Sequence, residues 1–284
     1  IRVIQDNFGL PVNHYASVSL GGFLKVVETL GGVTIDVPAP LRDERSGADF
    51  DAGPQHMSAQ EALAYIRSRQ GARADFERID RQQRFLLAVL RDLTDTRTLA
   101  DPRRVLQLVD DVASNVTTDE GLTLGEMYGL ADEVRRVVAG GIPMTTVPSY
   151  TRTIDGVDFV IAYRPGAQAL FDDLRAGRRV ADRGTSEQRG QTPVAVWWGD
   201  QVTAADTIVV PTLIYAGFQA GGAGRGPVEA RATEVSRVFE VDGFEQEARW
   251  VAATLGVDPE PLPAGVEAPT DARAVVSVGI DARS

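Results

Sequence analysis

The sequence has no cysteine, which removes disulfides, thiolate metal sites and a cysteine nucleophile together. Lysine is almost missing as well. Lys25 stands alone against 28 arginines, a bias read as that of a GC-rich genome. The two histidines, His14 and His56, lie too far apart in sequence to be read as a metal pair. No apolar run approaches the ~18 residues of a transmembrane helix, and no signal-peptide pattern is visible. Gly221–Gly226 reads as a flexible loop without the G-x-G-x-x-G spacing of a dinucleotide site. The net charge of −11 argues against a nucleic-acid partner bound by phosphate neutralisation. The chain opens at Ile1 rather than at methionine and is read as starting inside a longer protein.

What is present is a soluble globular composition. Of 284 residues 43% are apolar and 24% charged, enough for one large domain or two ordinary ones. Residues 1–8 read as the end of a helix, stopped by Gly9-Leu10-Pro11. A strand over 14–19, a short helix marked by Phe23, Val26, Val27 and Leu30, and a strand over 33–37 read as a β-α-β unit. Residues 40–57 read as a polar loop. Ser58 with Glu61 forms a capping box opening the next helix. Helices are expected at 76–93, 102–113 and 123–137, and a hairpin over 144–163 around Asp155-Gly156. A short helix is expected over 165–174. The polar stretch 177–192 reads as an interdomain linker. Beyond it, strands at 194–198, 232–240 and 273–278 alternate with helices at 203–216 and 243–255. The fold class is therefore α/β, with a sheet flanked by helices and a small C-terminal α/β domain.

One segment departs from the acidic background. Residues 61–91 hold seven arginines against four acids, a local +3 that leaves −14 for everything else. A positive island in an acidic chain points to an anionic ligand of limited size. Arginine suits phosphate because its planar fork donates in pairs and stays charged. Helical spacing places Phe76, Ile79, Leu86 and Leu90 on one apolar stripe, with Gln83 inside it. Asp75, Arg78 and Gln82 border that stripe, and Arg78 and Gln82 meet four residues apart. Arg67 and Arg69 end the preceding helix, and in an extended chain they point the same way. Arg73, Arg81, Arg84 and Arg91 read as a solvated, ion-paired helix face, with Arg81 and Arg84 toward solvent.

The motifs in order are Gly9-Leu10-Pro11-Val12-Asn13-His14-Tyr15, Gly22-Phe23 and Leu30-Gly31-Gly32-Val33-Thr34-Ile35-Asp36-Val37-Pro38. Tyr65-Ile66-Arg67-Ser68-Arg69 and Arg78-Ile79-Asp80-Arg81-Gln82-Gln83 follow. This series resembles the second half of the LytR-CpsA-Psr (LCP) catalytic domain, clearly over 9–90 and more loosely to about 176. Residues 1–176 are thus read as the C-terminal part of an α/β/α catalytic domain, 177–192 as linker, and 193–284 as a domain similar to the LytR_C module. In that tail Trp198 stands where the family usually has Asn, and Pro211 interrupts a helix.

The resemblance implies an enzyme anchored through a missing N-terminal segment, on the extracytoplasmic face of the membrane of Gram-positive-type bacteria. Such an enzyme transfers a glycopolymer with one phosphate from a polyprenyl-pyrophosphate carrier to peptidoglycan. The alternative is a non-catalytic polyprenyl-phosphate or cell-wall binding protein that retains the fold. Arg67, Arg69, Arg78 and Gln82 align with the family's pyrophosphate-binding positions, with Gln83 a further candidate. Asp75 is expected to orient Arg78 by an ion pair. Phe23, Val26 and Leu30 are candidates to line a polyprenyl pocket. The family's Mg²⁺ is held by aspartates expected upstream of Ile1, so none is assigned to Asp43, Asp49 or Asp51. The C-terminal domain shows no nucleophile–base pair and reads as an interaction or wall-targeting module.

Overall fold

A computed structural model describes residues 2–69, 74–94, 114–122, 126, 145–178, 180, 182–198, 205–231 and 234–283. The expected helices at 102–113 and 123–137 lie outside these described residues. The chain forms two compact units, one of residues 12–144 and one of 1–11 with 145–284.

In the first unit, strand β1 (Ala16–Val18) pairs antiparallel with β6 (Val116–Thr118). Between them run helix α2 (Leu20–Leu30), β2 (Val33–Val37), β3 (Leu41–Asp43), β4 (Ala48–Phe50), β5 (Gly53–Met57), α3 (Ala59–Arg67) and α4 (Ala74–Thr94). Strand β2 alternates buried and exposed residues and pairs antiparallel with β5, Val33 opposite Met57. Strands β3 and β4 form a hairpin of their own. The β-α-β expectation is corrected here: β1 and β2 belong to different sheets, and each takes an antiparallel partner. The expected polar loop 40–57 likewise holds three strands. Apolar residues at alternate positions (Leu41, Ala48, Phe50 and Met57) turn inward. They close a core with Val27, Ile35, Tyr65, Phe85 and Val89.

The second unit opens with α1 (Arg2–Phe8), whose Phe8 stacks on Phe171 at 4.3 Å. The hairpin β7 (Ser149–Ile154) and β8 (Val157–Ala162) turns at Asp155 and Gly156, both with positive φ, as the Asp-Gly pair requires. Helix α5 (Arg164–Arg175) and the short α6 (Ser186–Gly190) precede strand β9 (Pro193–Trp198). A π-helical stretch over Ala205–Val209 runs into α7 (Val210–Ala216), so the helical pattern changes next to Pro211, which has no N–H to donate. Strand β10 (Gln219–Arg225), β11 (Arg237–Glu240), α8 (Glu245–Leu255), β12 (Pro259–Pro261) and β13 (Ala274–Val278) complete the unit.

The five strands stand in the order β10-β9-β13-β11-β12. Strand β9 is buried on both faces. Val194 and Val196 meet Tyr163, Val251 and Val276, whereas Ala195 and Trp197 meet Phe239 and Val275. The expected flexible loop at 221–226 is therefore mostly strand. Its glycines lie on an edge strand, parallel to β9, with a register shift between Gly222 and Arg225.

The stretch 177–192 is tied down within this unit rather than free. Arg183 donates to the Ala253 carbonyl at 3.1 and 3.0 Å and to the Thr145 hydroxyl at 2.7 Å. Burial lowers its guanidinium pKa to about 10. The indole N–H of Trp250 donates to Asp182 at 3.1 Å. Polar anchors hold a segment whose sequence shows hardly any apolar ones. Packing thus divides the chain near 144–145, whereas the sequence boundaries fall at 176 and 193.

Candidate anion-binding site

Helix α3 begins at the expected capping box. The Ser58 hydroxyl accepts from the Glu61 amide, and the Glu61 carboxylate accepts from the Ser58 amide at 2.8 Å. The helix ends at Arg67, a cation placed favourably at the negative end of the dipole. Ser68 then leaves the helix at φ −58°, ψ 138°, an extended conformation. Ser68 is wholly buried at 0% exposure, while Arg67 and Arg69 are both exposed. The extended chain expected here begins only at Ser68, because Arg67 is still helical; the serine is buried and the arginine on either side of it is exposed.

Two groups fix this segment. Arg81, on α4, donates from Nη2 to the Ser68 carbonyl at 2.7 Å. Asp43, the last residue of β3, accepts the Arg69 amide at 3.1 Å. The hydroxyl of Ser68 also bonds the Asp43 carboxylate, the main cause holding its pKa down at about 2. Asp43 further accepts the Arg45 amide at 3.1 Å. An open groove of about 820 Å³ runs beside this carboxylate, lined by Arg42, Arg45, Asp49 and Arg69 among others. Arg42 is paired with Asp49 at 2.7 Å and with Asp51.

Helix α4 corrects the phase expected from sequence. Arg81 is 7% exposed, and Phe85, Ala88 and Val89 continue the buried stripe after it. Leu86, expected on the buried face, is 48% exposed, and Ile79 and Leu90 are only partly covered. Arg84 is half-buried rather than solvated. The sequence carried the signal: Arg81, Phe85, Ala88 and Val89 lie at i, i+4, i+7 and i+8, the spacing of one helix face. Desolvation lowers the Arg81 pKa, partly offset by Glu77, whose carboxylate lies 3.7 Å away. Burial raises the Tyr65 phenol, and Arg84 and Arg81 pull it the other way.

The other expected site residues separate into groups. Arg78, half-buried, and Gln82, exposed, lie one turn apart on α4, three residues before and one after the Arg81 that grips Ser68. Gln83 is half-buried. The side chains of Asp75 and Phe76 lie outside the described residues, as does Arg73. Phe23 packs on Phe85 with ring centroids 4.8 Å apart, Val26 packs against the same cluster, and Leu30 is buried in it. Leu30 is thus core, and Phe23 and Val26 are half-buried against it. Ser68, Asp43 and Arg81 are the site residues that sequence reasoning missed. Among the described residues no three His, Asp or Glu side chains are grouped to hold a metal ion. His14 instead pairs with Asp119 at 3.0 Å. His56 bonds the Gly31 carbonyl at 3.0 Å.

Comparison with known proteins finds relatives of the chain. Cell wall biosynthesis protein LcpA of Corynebacterium glutamicum is 32% identical over 157 residues, 55% of this chain and 29% of that protein. The Bacillus subtilis polyisoprenyl-teichoic acid–peptidoglycan teichoic acid transferase TagV is 32% identical over 136 residues, 45% of this chain and 34% of that protein. The matches span well under half of these relatives' lengths. Among solved structures, the LytR-Csp2A-Psr enzyme from Actinomyces oris matches with a TM-score of 0.50 and 25% identity. That match covers 62% of this chain and 68% of the other. The LytR_cpsA_psr family model matches residues 1–176, the stretch that carries the capped helix, the buried serine and its two flanking arginines, and the chain belongs to that family.

Proposed function

We propose that this chain is part of a phosphotransferase that moves a glycopolymer, with one phosphate, from a polyprenyl-pyrophosphate carrier to a hydroxyl of peptidoglycan. The observation that carries the reading is the pair Arg67 and Arg69, held outward around a wholly buried Ser68 in an otherwise acidic chain. Relatives named as cell wall biosynthesis proteins and teichoic acid transferases support it. The work would take place on the extracytoplasmic face of the membrane, where the acceptor lies. No helix among the described residues is long and apolar enough to cross a membrane. The C-terminal part, 193–284, is proposed as a LytR_C-like module for interaction or wall targeting.

The chemistry follows from charge. An acceptor oxygen bonds to the phosphorus that carries the glycan, and the bridging P–O bond to the carrier phosphate breaks. The acceptor proton leaves to a base or to water. Negative charge grows on the departing polyprenyl phosphate. In this reading Arg67 and Arg69 stabilise that charge, and Arg78 and Gln82, one turn apart on α4, are the further donors proposed for it. Mg²⁺ is proposed as the family's cofactor, supplying charge neutralisation at the pyrophosphate. Among the described residues no donor set fits it.

The test is release of polyprenyl phosphate from a glycan-loaded carrier by the full-length protein. Arg67→Ala with Arg78→Ala should lower the rate at least a hundredfold. An unchanged rate would overturn the reading, and binding without release would favour a carrier-binding protein.

A further inference from the structure

We propose that Asp43 is a positioning residue of the anion site: with Arg81 it grips the single peptide unit between Ser68 and Arg69 and so aims the Arg69 side chain. The proposal rests on reading Arg67 and Arg69 as pyrophosphate ligands.

The carbonyl of Ser68 and the amide of Arg69 belong to one peptide plane and point in opposite directions. Arg81 holds the carbonyl end at 2.7 Å. Asp43 holds the amide end at 3.1 Å. With both ends held, the plane cannot rotate, which fixes ψ of Ser68 and φ of Arg69. The Ser68 hydroxyl adds a third tie to the same carboxylate. Asp43 is itself held from the hairpin side, where Arg45 donates its amide to the other carboxylate oxygen at 3.1 Å. Strand β3, α3 and α4 thus meet at one peptide.

A carboxylate beside two guanidiniums meant for an anion opposes that anion by simple Coulomb repulsion. This makes the sign of the effect diagnostic. If Asp43 were a bystander, neutralising it would leave anion binding unchanged or tighten it. If it positions Arg69, neutralising it weakens binding, because asparagine cannot accept with both terminal atoms and turns an NH₂ donor toward one of the two amides.

The experiment titrates the 284-residue chain and its variants with geranyl pyrophosphate, a short soluble polyprenyl pyrophosphate, by calorimetry. Asp43→Asn should bind at least fivefold more weakly. Ser68→Ala should also weaken binding, and the double variant should be no worse than the poorer single one, since both remove parts of one contact. Asp36→Asn, on the exposed face of β2, should match the unsubstituted chain. Amide hydrogen exchange gives a readout independent of ligand: the Arg69 amide should exchange at least tenfold faster in Asp43→Asn. Unchanged or tighter binding together with unchanged Arg69 protection overturns the proposal. Faster Arg69 exchange in Asp43→Asn, in a chain that Arg67→Ala and Arg69→Ala leave with unaltered affinity, keeps the clamp and overturns the pyrophosphate reading instead. Should Asp43→Asn fail to fold, Ser68→Ala carries the same two measurements.

Discussion

A buried guanidinium needs partners, and Arg81 finds the Ser68 carbonyl and, more distantly, Glu77. Replacing it with methionine fills much of the space but leaves that carbonyl without its donor. Arg81→Met should cost about 2 kcal/mol, the scale of a hydrogen bond to a charged group, read by urea unfolding. The carboxylates of Asp43 and Asp119 set an acid limit. Both lie near pKa 2 instead of 3.8, Asp43 chiefly through Ser68 and Asp119 chiefly through His14. A lowered folded pKa contributes stability that is present above the unfolded value and lost as pH falls through the folded one. The melting temperature should therefore drop between about pH 4 and pH 2, and Asp43→Asn should remove part of that drop. At this scale the exposed arginines could be named from sequence, although the extended chain expected to align them begins only at Ser68, after the helical Arg67. Arg81 was not, because its charge suggested solvent while its phase with Phe85, Ala88 and Val89 placed it inside. Asp43 was invisible for another reason: its contact with Arg69 spans 26 residues.

Among elements, those fixed by local chemistry were readable. The Ser58–Glu61 box opens α3 where expected, and Ser58→Ala should cost about 1 kcal/mol in thermal unfolding. The Asp155-Gly156 turn is likewise local. Strand partners were not readable, because pairing depends on distant sequence. Strands β1 and β2 look like neighbours across a helix, yet their partners are β6 and β5. Strand β10 was hidden by its glycines, which give no side-chain alternation to detect. Helices α5 and α8 meet closely at Gly166, where an added Cβ would collide with the Thr254 carbonyl. Gly166→Ala should destabilise by about 1–3 kcal/mol, the range for forced overpacking. A neutral result in thermal unfolding would mean that the two helices can separate freely.

For the molecule as a whole, descent and packing divide the chain differently. Family resemblance runs to residue 176, yet Tyr150, Tyr163 and the 183–189 segment pack within the C-terminal unit. A fragment of 145–284 should unfold cooperatively, while 193–284 alone should melt lower, having lost Tyr150, Tyr163 and the Arg183 bonds. Charge also acts at this scale. An acidic chain repels anions from most of its surface, so an anion that binds must find the local +3 of residues 61–91. The central claim is that Arg67 and Arg69 form a site for polyprenyl pyrophosphate. Its most direct test is calorimetric titration with geranyl pyrophosphate of the unsubstituted chain and of Arg67→Ala/Arg69→Ala. The account predicts at least a tenfold loss of affinity in the double variant with an unchanged melting temperature, since both side chains are exposed. Equal affinity in the two proteins would contradict it.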